Sequence, residues 1–339
     1  MSANPANGTN CPVFFILGRG RSGTTLLSRI LSAHPNITVA PEGFFLLNLY
    51  TAYKNATWHN KTIEAFCRDV LLENRMKTWQ LPVSLIRERL LANKEQLNYP
   101  MACRIVYAAY AEKNEKQIIW TGDKNPHYAL FPQKLLQIFP DAPVIYIYRD
   151  YRDNILSYRN VPFDLQDYAA LAYRWNIYNR QLMKLRHSDH KETLYSQRFE
   201  DLLQNPEAEV SGICKFLNVS YYPEMLNFYQ EEETNFYGAG SPWFSKLNNP
   251  LNPDEKEKWK SLPESTLNLI DSICNETARE LGYQPATYNR LSISNRLRKL
   301  SGKIKAYLAT KAEKLIFFQL PLRLKVYIVN KYRGSTNRV

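Results

Sequence analysis

The chain has 339 residues, of which 45% are apolar and 22% are charged, with only 12 glycines and 19 prolines. It can therefore build a large core, and it is neither disordered nor collagen-like. The net charge is +12, and residues 290–339 account for all of it, with 13 Lys and Arg against one acid, Glu313, so the rest of the chain needs no polyanionic partner.

A strand, a loop and a helix are predicted at the start of the chain. Residues 13–17 are a short apolar run between a proline and a glycine, which is typical of a buried strand. A loop with three glycines follows at 18–23, and residues 24–33 have apolar side chains at helical spacing. The loop is therefore expected to lie at the N-terminus of a helix.

Similar units follow along the chain. Residues 121–126 are predicted to be a loop. Strands that alternate with helices indicate a parallel sheet with helices on both faces. We therefore predict an α/β fold, a P-loop NTPase-like parallel sheet flanked by helices. Its further strands are predicted around 37–40 and at 117–120, 143–148 and 193–199, and its further helices up to 139, from 152, and at 167–186, 206–217 and 263–281.

The chain is divided by its composition into three parts. We place a flexible N-terminus at 1–12, the α/β domain at 13–285 and a basic amphipathic extension at 286–339. The extension is expected to pack on the domain, to bind a partner or to lie on an anionic membrane surface, and we favour the membrane surface. Its apolar residues recur at helical spacing among lysines and arginines: Leu297, Leu300, Ile304, Leu308 and Leu315.

The first glycine loop has the composition of an anion-binding site. It reads Gly-Arg-Gly-Arg-Ser-Gly-Thr-Thr over 18–25, so backbone N–H groups and the helix dipole can face a phosphate. Arg21 adds a planar fork of donors suited to phosphate or sulfate. Thr24 stands where a Walker A loop has its lysine, which disfavours a standard ATPase or GTPase. Taken alone, the loop could also be a plain turn.

A second polar group follows the strand at 143–148. Arg149 comes directly after this strand, and Ser157 lies about two helical turns later. Both are expected near the carboxyl end of the sheet, where open α/β proteins bind their ligands. Taken alone, this segment could equally be a solvated helix start held by ion pairs.

Together the two motifs resemble the PAPS-dependent sulfotransferases, and most closely the tyrosylprotein sulfotransferase branch. The similarity has no gap from Arg21 to Pro35 and returns in short segments, so that it covers about residues 12–285. The resemblance implies the sulfotransferase fold and a sulfuryl transfer from PAPS (3′-phosphoadenosine 5′-phosphosulfate) to an acceptor hydroxyl, with PAP as product and no metal.

The resemblance also assigns residues to the sulfuryl donor. It implies that the 5′-phosphosulfate is held by Arg21, Ser22, Gly23, Thr24 and Thr25, with Arg21 also taking part in catalysis. In the same way it implies that Arg149 and Ser157 hold the 3′-phosphate. Ser245 and Lys246 match a segment that closes over the nucleotide. Phe199 replaces a family tyrosine and should remove one hydrogen bond near the nucleotide.

Two further residues match the catalytic positions of that family. Glu42 stands at the position of the catalytic base, which takes the proton of the acceptor hydroxyl. Lys124 matches the lysine that stabilises the leaving phosphate and the sulfuryl oxygens. Asn125 replaces the aspartate that follows this lysine in the family. Without the resemblance, Glu42 and Lys124 could be ordinary surface residues.

The acceptor side differs from the tyrosylprotein branch. That branch places arginines two and six residues after the catalytic glutamate, where this chain has Phe44 and Asn48. We therefore predict that Phe44 and Phe45 line an apolar acceptor pocket for a hydrophobic alcohol or phenol, such as a sterol or lipid. The same run could instead be helix core.

Other functions remain open at this point. They are a tyrosylprotein or glycan sulfotransferase, a degenerate P-loop nucleotide kinase or NTPase, and a catalytically dead nucleotide-binding protein recruited to membranes. Nucleic-acid binding is not expected, because no recognition motif accompanies the basic extension. A homodimer is left open. The five scattered cysteines, the polar N-terminus and the lack of a long apolar run predict a cytoplasmic protein that can associate with membranes.

Overall fold

Five parallel strands form one central sheet in the order β2-β3-β1-β4-β5. The computed structural model describes residues 11–113, 117–161, 164–230, 242–285 and 290–334, with side chains for all of these except 242–244 and 332–334. The order places the first strand in the middle, so the loop that follows it lies at the centre of one sheet edge. The strands are β1 (Val13–Leu17), β2 (Ile37–Ala40), β3 (Trp120–Lys124), β4 (Val144–Tyr148) and β5 (Leu194–Arg198).

Helices cover both faces of this sheet. Shorter 3₁₀ turns lie at Asn74–Trp79, Lys94–Gln96, Pro126–Leu130, Lys184–His187, Lys191–Thr193, Pro223–Gln230, Pro242–Asn248, Pro253–Glu255 and Lys258–Ser261. The α-helices in the described residues are α1 (Thr24–Ser32), α2 (Phe45–Asn48), α3 (Tyr50–Tyr53), α4 (Asn60–Val70), α5 (Val83–Ala92), α6 (Tyr99–Ala111), α7 (Pro132–Ile138), α8 (Tyr151–Arg159), α9 (Tyr168–Met183), α10 (Phe199–Gln204), α11 (Pro206–Phe216), α12 (Glu264–Glu280), α13 (Ile293–Phe318) and α14 (Leu322–Gly334).

The central strand explains why the sheet is covered on both sides. All five residues of β1 are buried, and their side chains alternate between two hydrophobic clusters. Phe15 and Leu17 belong to the larger cluster, whereas Phe14 and Ile16 belong to the cluster under α1 and α11. A parallel strand buried on both faces reads as a continuous apolar run, which is the pattern of this segment.

The predicted α/β architecture is confirmed, but the third strand was placed too early. Residues 121–124 were expected to be a loop and instead belong to β3. The sequence pattern does not indicate this strand, because it contains polar residues that are usually exposed. In the fold Asp123 is fully buried and accepts a hydrogen bond from Tyr107 Oη at 2.5 Å. Gly122 lies against Phe14, where an added Cβ would come within 2.6 Å of the ring. Lys124 therefore ends a strand and has a fixed backbone.

The C-terminal helices pack against the sheet domain. Helix α13 lies along α9, and at Gly302 the two backbones approach so closely that an added Cβ would stand 2.4 Å from the Cβ of Ala169. Helix α14 inserts Lys325, which is fully buried and donates to the backbone oxygens of Asn48 and Phe317. Among the described residues, no helix is both long and apolar enough to cross a bilayer.

Candidate active site

The carboxyl ends of the parallel strands bring the predicted site residues together. Strand β1 leads into the loop at 18–23, β2 into Glu42, and β4 into Arg149, while Lys124 is the last residue of β3. Because parallel strands all point the same way, these four positions share one edge of the sheet. The sequence segments that carry the two motifs therefore form one site.

The loop after β1 has the backbone geometry of an anion-binding turn. Gly23 has φ +96° and caps α1 without a side-chain hydrogen bond, so the first N–H groups of this helix are not capped by their N-cap residue. An added Cβ at Gly20 would lie 2.3 Å from Tyr158 Oη, which explains the second glycine. Asn154 donates to Gly20 O at 2.9 Å and to Ser22 Oγ at 3.0 Å, and it fixes the loop on α8.

Arg21, Ser157 and Arg149 form one cluster beside this loop. Arg21 Nε donates to Ser157 Oγ at 3.1 Å, and Arg149 Nη1 donates to Arg21 O at 3.4 Å. Burial lowers the pKa of Arg21, and the positive charge of Arg149 lowers it further. Arg149 Nε is buried and has no hydrogen-bond partner within the described ranges. Two neighbouring cations with an unused buried donor suit an anion.

A cleft of about 510 Å³ opens beside this cluster, a volume in the range of small-molecule sites. Lys246 and Lys258 line the cleft, and both pair with Glu255. Ser245 is exposed and is not among the residues that line the cleft. The cleft is further lined by Arg21, Gly23, Thr24, Thr25, Arg149 and Ser157. Seven of the nine predicted nucleotide-binding residues thus surround one space, and the buried Ser22, like Ser245, does not line it.

Lys124 links this loop to Glu42. Its Nζ donates to Glu42 Oε1 at 2.6 Å and to Thr25 Oγ1 at 3.4 Å. Glu42 Oε2 also accepts from Arg75 Nη1 at 3.0 Å. The Glu42 side chain is 16% exposed and that of Lys124 is 5% exposed, so the ion pair is largely shielded from solvent. A carboxylate and two cations thus meet next to the anion-binding loop.

Two buried carboxyl groups lie under this arrangement. Burial raises the pKa of Asp123 to about 7, although the hydrogen bond from Tyr107 and the charge of Lys124 oppose this rise. Glu73 accepts from Phe44 N at 2.9 Å and from Asn48 Nδ2 at 3.2 Å. Glu73 therefore fixes the turn that follows Glu42, and Asp123 changes from its neutral to its charged form near pH 7.

Phe44 and Phe45 lie in the hydrophobic core. They are 0% and 1% exposed, and Phe44 packs against the rings of Tyr128 and Phe317. That they form the acceptor wall stays a prediction, and in this structure both rings are buried. The physical reason is that this run begins α2, whose four residues are all buried.

Three contributors to the site were missed from the sequence. Arg75 lies in a 3₁₀ turn 33 residues after Glu42, and no local sequence pattern predicts its hydrogen bond to that residue. Asn154 follows the Arg-Asp-Tyr-Arg-Asp run, where its spacing from Arg149 could have suggested a role on the same helix. Phe199 was expected only to remove a hydrogen bond near the nucleotide. Its ring lies against the Arg149 guanidinium, with 4.5 Å between the ring centre and Cζ.

Comparison with known proteins gives a consistent result. A model described as the sulfotransferase family matches residues 12–224, which is more than half of the chain. The chain is similar to protein-tyrosine sulfotransferase A of Caenorhabditis elegans, with 25% identity over 286 residues covering 81% of this chain and 68% of that protein. It is also similar to protein-tyrosine sulfotransferase 1 of Danio rerio, with 25% identity covering 81% of this chain and 73% of that protein.

Solved structures support the fold. A sulfotransferase domain from the curacin biosynthetic pathway superposes with a TM-score of 0.57 at 22% identity, covering 81% of this chain and 99% of that domain. A sulfotransferase domain from the Synechococcus PCC 7002 olefin synthase gives the same TM-score and identity over 83% of this chain and 98% of that domain. The sheet and its helices thus have known counterparts.

Proposed function

Since the chain belongs to the sulfotransferase family, we propose that it transfers a sulfuryl group from PAPS to the hydroxyl of a neutral, hydrophobic acceptor, with Glu42 as the general base. The observation that carries this proposal is the position of Lys124, which joins the anion-binding loop to the Glu42 carboxylate. A nucleotide kinase with a degenerate loop is not retained, because the family match is to sulfotransferases.

The residues around the cleft fit the anionic ends of PAPS. The N-terminus of α1 and Arg21 would hold the 5′-phosphosulfate, since uncapped helix N–H groups and a guanidinium both favour anions. Arg149 and Ser157 would hold the 3′-phosphate, and the buried Arg149 Nε supplies a donor for it. Lys246 and Lys258 lie where they would cover the nucleotide.

In the proposed reaction the acceptor oxygen forms a bond to sulfur while the bond from sulfur to the bridging phosphate oxygen breaks. Glu42 takes the hydroxyl proton, and PAP leaves with the electron pair of the broken bond. Lys124 is held by two oxygens, so its charge is available beside the loop where negative charge develops. Arg75 holds the other carboxylate oxygen and is a positioning residue.

The proposed acceptor class rests on charge. Phe44 and Asn48, at the positions of the two arginines of the tyrosylprotein branch, are buried and bring no cation to the surface. Arg75 lies beside the base, but it is already bound to Glu42. An acidic peptide would therefore lose its partners here, and a neutral alcohol or phenol would not.

The second candidate acceptor is a tyrosine phenol in a protein. It is favoured by the similarity to two relatives, both protein-tyrosine sulfotransferases with 25% identity to this chain. Both candidates require the same sulfuryl donor and the same base, so they differ only in what lies beyond the hydroxyl.

An acceptor panel separates the two candidates. The full chain is incubated with radiolabelled PAPS and, in parallel, with neutral sterols, long-chain alcohols, simple phenols and acidic or neutral tyrosine peptides. We expect label on the neutral hydrophobic hydroxyl compounds and little on acidic peptides. Preferred labelling of acidic tyrosine peptides would overturn the acceptor proposal, and no labelling of any acceptor would contradict the reaction.

Glu42→Gln tests the base. The amide keeps the shape, and its one oxygen can accept from Lys124 or from Arg75, but its NH2 group cannot replace the second carboxylate oxygen and cannot take a proton. We expect kcat to fall by at least about 10³-fold, while the Kd for PAP, measured by calorimetry, stays within about twofold. Glu64→Gln, a change of an exposed glutamate on α4, is the matched control and should leave both values unchanged. Near-normal turnover of the Glu42 variant would refute its role.

A further inference from the structure

Helix α13 turns a row of large apolar side chains toward solvent. From 293 to 308 they recur at helical spacing, and the last member follows two turns later, so they form one stripe, about 33 Å long at 1.5 Å per residue. Their exposed fractions run from 43% at Leu315 to 77% at Ile293. We call this set the outer stripe, and its members are Ile293, Leu297, Leu300, Ile304, Tyr307, Leu308 and Leu315.

The inner face of the helix fixes this orientation. Gly302 and Ala306 are buried against α9, and an added Cβ at Gly302 would lie 2.7 Å from Ala170 N. Asn295 Nδ2 donates to Ser265 O at 2.8 Å, and Glu313 is bound by Arg174 at 2.9 Å. Rotating the helix to bury the stripe would break these contacts and would place large residues where only glycine fits. The stripe therefore stays outside while the helix is docked.

Basic residues border the outer stripe along both sides. Lys311 lies in line with the stripe, and its Nζ is 4.8 Å from the Tyr307 ring. Glu313, the one acid between 290 and 339, lies on the inner face. Lys305 also lies 3.5 Å from Asp167 at the base of α9. The exposed border residues are Arg296, Lys303 and Lys314 on one side and Arg298 and Lys305 on the other.

We propose that the outer stripe is a membrane-docking surface that lies in the headgroup region of a bilayer containing anionic lipid. An apolar stripe with lysines and arginines at its borders places alkyl and aromatic groups among acyl chains and places the cations at the phosphate level. Each Lys or Arg near such a surface adds attraction that a neutral surface does not provide. This inference does not depend on the proposed reaction.

A second copy of the chain is a poorer occupant for the same surface. Two outer stripes packed face to face would bring the basic borders of both copies together, and like charges at an interface disfavour association. An anionic lipid surface matches the apolar stripe and its borders at once. The charge pattern therefore favours a membrane over a second copy of the chain. Self-association through the stripe would contradict the proposal, and the experiments below test for it.

Vesicle sedimentation tests the proposal. The full chain is mixed with phosphatidylcholine vesicles, with or without phosphatidylserine as roughly a third of the lipid. We expect binding to the anionic vesicles that weakens as salt is added, and little binding to neutral ones. Equal binding to both, or to neither, would overturn the proposal.

Two variants separate the stripe from its borders. Leu297→Ser with Ile304→Ser and Leu308→Ser should reduce the partition onto anionic vesicles at least about tenfold, since three apolar side chains are lost. Arg298→Glu with Lys303→Glu should reduce it about tenfold and remove the preference for phosphatidylserine. Lys61→Glu with Lys215→Glu changes two exposed residues outside the basic extension and is the charge-matched control. If neither the stripe variant nor the border variant changes the partition onto anionic vesicles, the proposed membrane-docking surface is refuted.

A fluorescent label reports contact directly. All five native cysteines are buried, so a cysteine introduced at Leu300 is the one readily labelled under native conditions. An environment-sensitive dye there should shift its emission to the blue with anionic vesicles, whereas the same dye at Tyr222→Cys should not. If the dye at Leu300 shifts without lipid as protein concentration rises, and sedimentation shows a dimer, the stripe binds a second copy and the proposal fails.

Discussion

The nucleotide cleft and the Glu42 cluster differ in how they balance charge. In the cleft, Arg21 and Arg149 stand together, and the pKa of Arg21 is lowered by burial and by the nearby charge of Arg149. In the Glu42 cluster, one carboxylate is bound by two cations, Lys124 and Arg75. The cleft thus gains stability when a polyanion enters, whereas in the Glu42 cluster both cations already have a carboxylate partner. The first is suited to binding and the second to holding a base in place.

This difference implies a separation of effects. Loss of a cation from the cleft should weaken nucleotide binding and leave the bound reaction largely intact. Loss of a cation from the Glu42 cluster should slow the reaction and leave nucleotide binding largely intact. Measured values of kcat and of the Kd for PAP in variants of these cations therefore show whether the two regions have separate roles.

Among the substitutions of cations, Lys124→Met should give the largest effect. The methionine keeps the length of the side chain and removes a charge that contacts both Glu42 and Thr25. A fixed cation beside developing negative charge is worth about 3 kcal/mol, so we expect kcat at saturating PAPS to fall by about 10²-fold or more. The Kd for PAP should rise less than about fivefold. A large loss of PAP affinity with normal kcat would place Lys124 on the binding side.

Arg149→Met should show the opposite pattern. Arg149 lines the cleft, and its guanidinium lies 4.5 Å from the centre of the Phe199 ring. We expect the Kd for PAP to rise by about 30-fold, in line with the loss of charged hydrogen bonds, with kcat within about threefold at saturation.

Arg159→Met is the matched control for that change. Arg159 follows Ser157 by two residues but donates to the backbone of Gln166 and packs on Tyr168. It should therefore leave the Kd for PAP unchanged. Equal loss of affinity in the Arg149 and Arg159 variants would mean that the effect is general charge attraction and not a contact in the cleft.

The side of the cleft that holds Arg21 and Arg149 could be predicted from the sequence because these residues belong to two short motifs. Residues 18–25 and 149–157 each follow a strand of β-branched and aromatic residues, and parallel strands bring their carboxyl ends together. The strand of Lys124 was misplaced because its burial depends on Asp123 pairing with Tyr107, a contact between a strand and a distant helix. Arg75 was missed for the same reason.

The apolar patterns were less informative about which side faces solvent. The run at 44–47 and the stripe on α13 are both hydrophobic, yet the first is core and the second is exposed. The deciding residues are small and unremarkable in the sequence: Gly302 and Ala306 seat α13 on α9 by their lack of bulk. Helical periodicity identifies a face, but the packing of the opposite face determines its exposure.

Arg75→Met should give a smaller effect on the reaction. Its guanidinium donates to Glu42 Oε2 at 3.0 Å, so its loss removes one of the two cations that hold the base. We expect kcat to fall about tenfold with the Kd for PAP unchanged, the same pattern as for Lys124. Arg75→Lys should recover part of the loss, which a purely structural role would not produce. Arg68→Met, at an exposed site on α4, is the control, and a matching loss there would contradict the assignment.

The smallest effect is expected at Asp123, beneath the Glu42 cluster. Its Oδ2 accepts from Tyr107 Oη, and its Oδ1 has no hydrogen-bond partner in the described part of the chain. With a folded pKa of about 7, against about 4 when unfolded, the folded state binds the extra proton between these values. The stabilisation is complete below pH 4 and is lost as the pH rises through 7.

Asp123→Asn removes this titration and keeps an acceptor for Tyr107. Between pH 5 and pH 7 the free energy of unfolding of the native chain should therefore fall relative to that of the variant by about 1 kcal/mol per pH unit, measured by urea denaturation. The Kd for PAP should be equal in both. Parallel pH curves would mean that Asp123 is charged throughout this range, and the balance of the Glu42 cluster would then include a second carboxylate below Lys124.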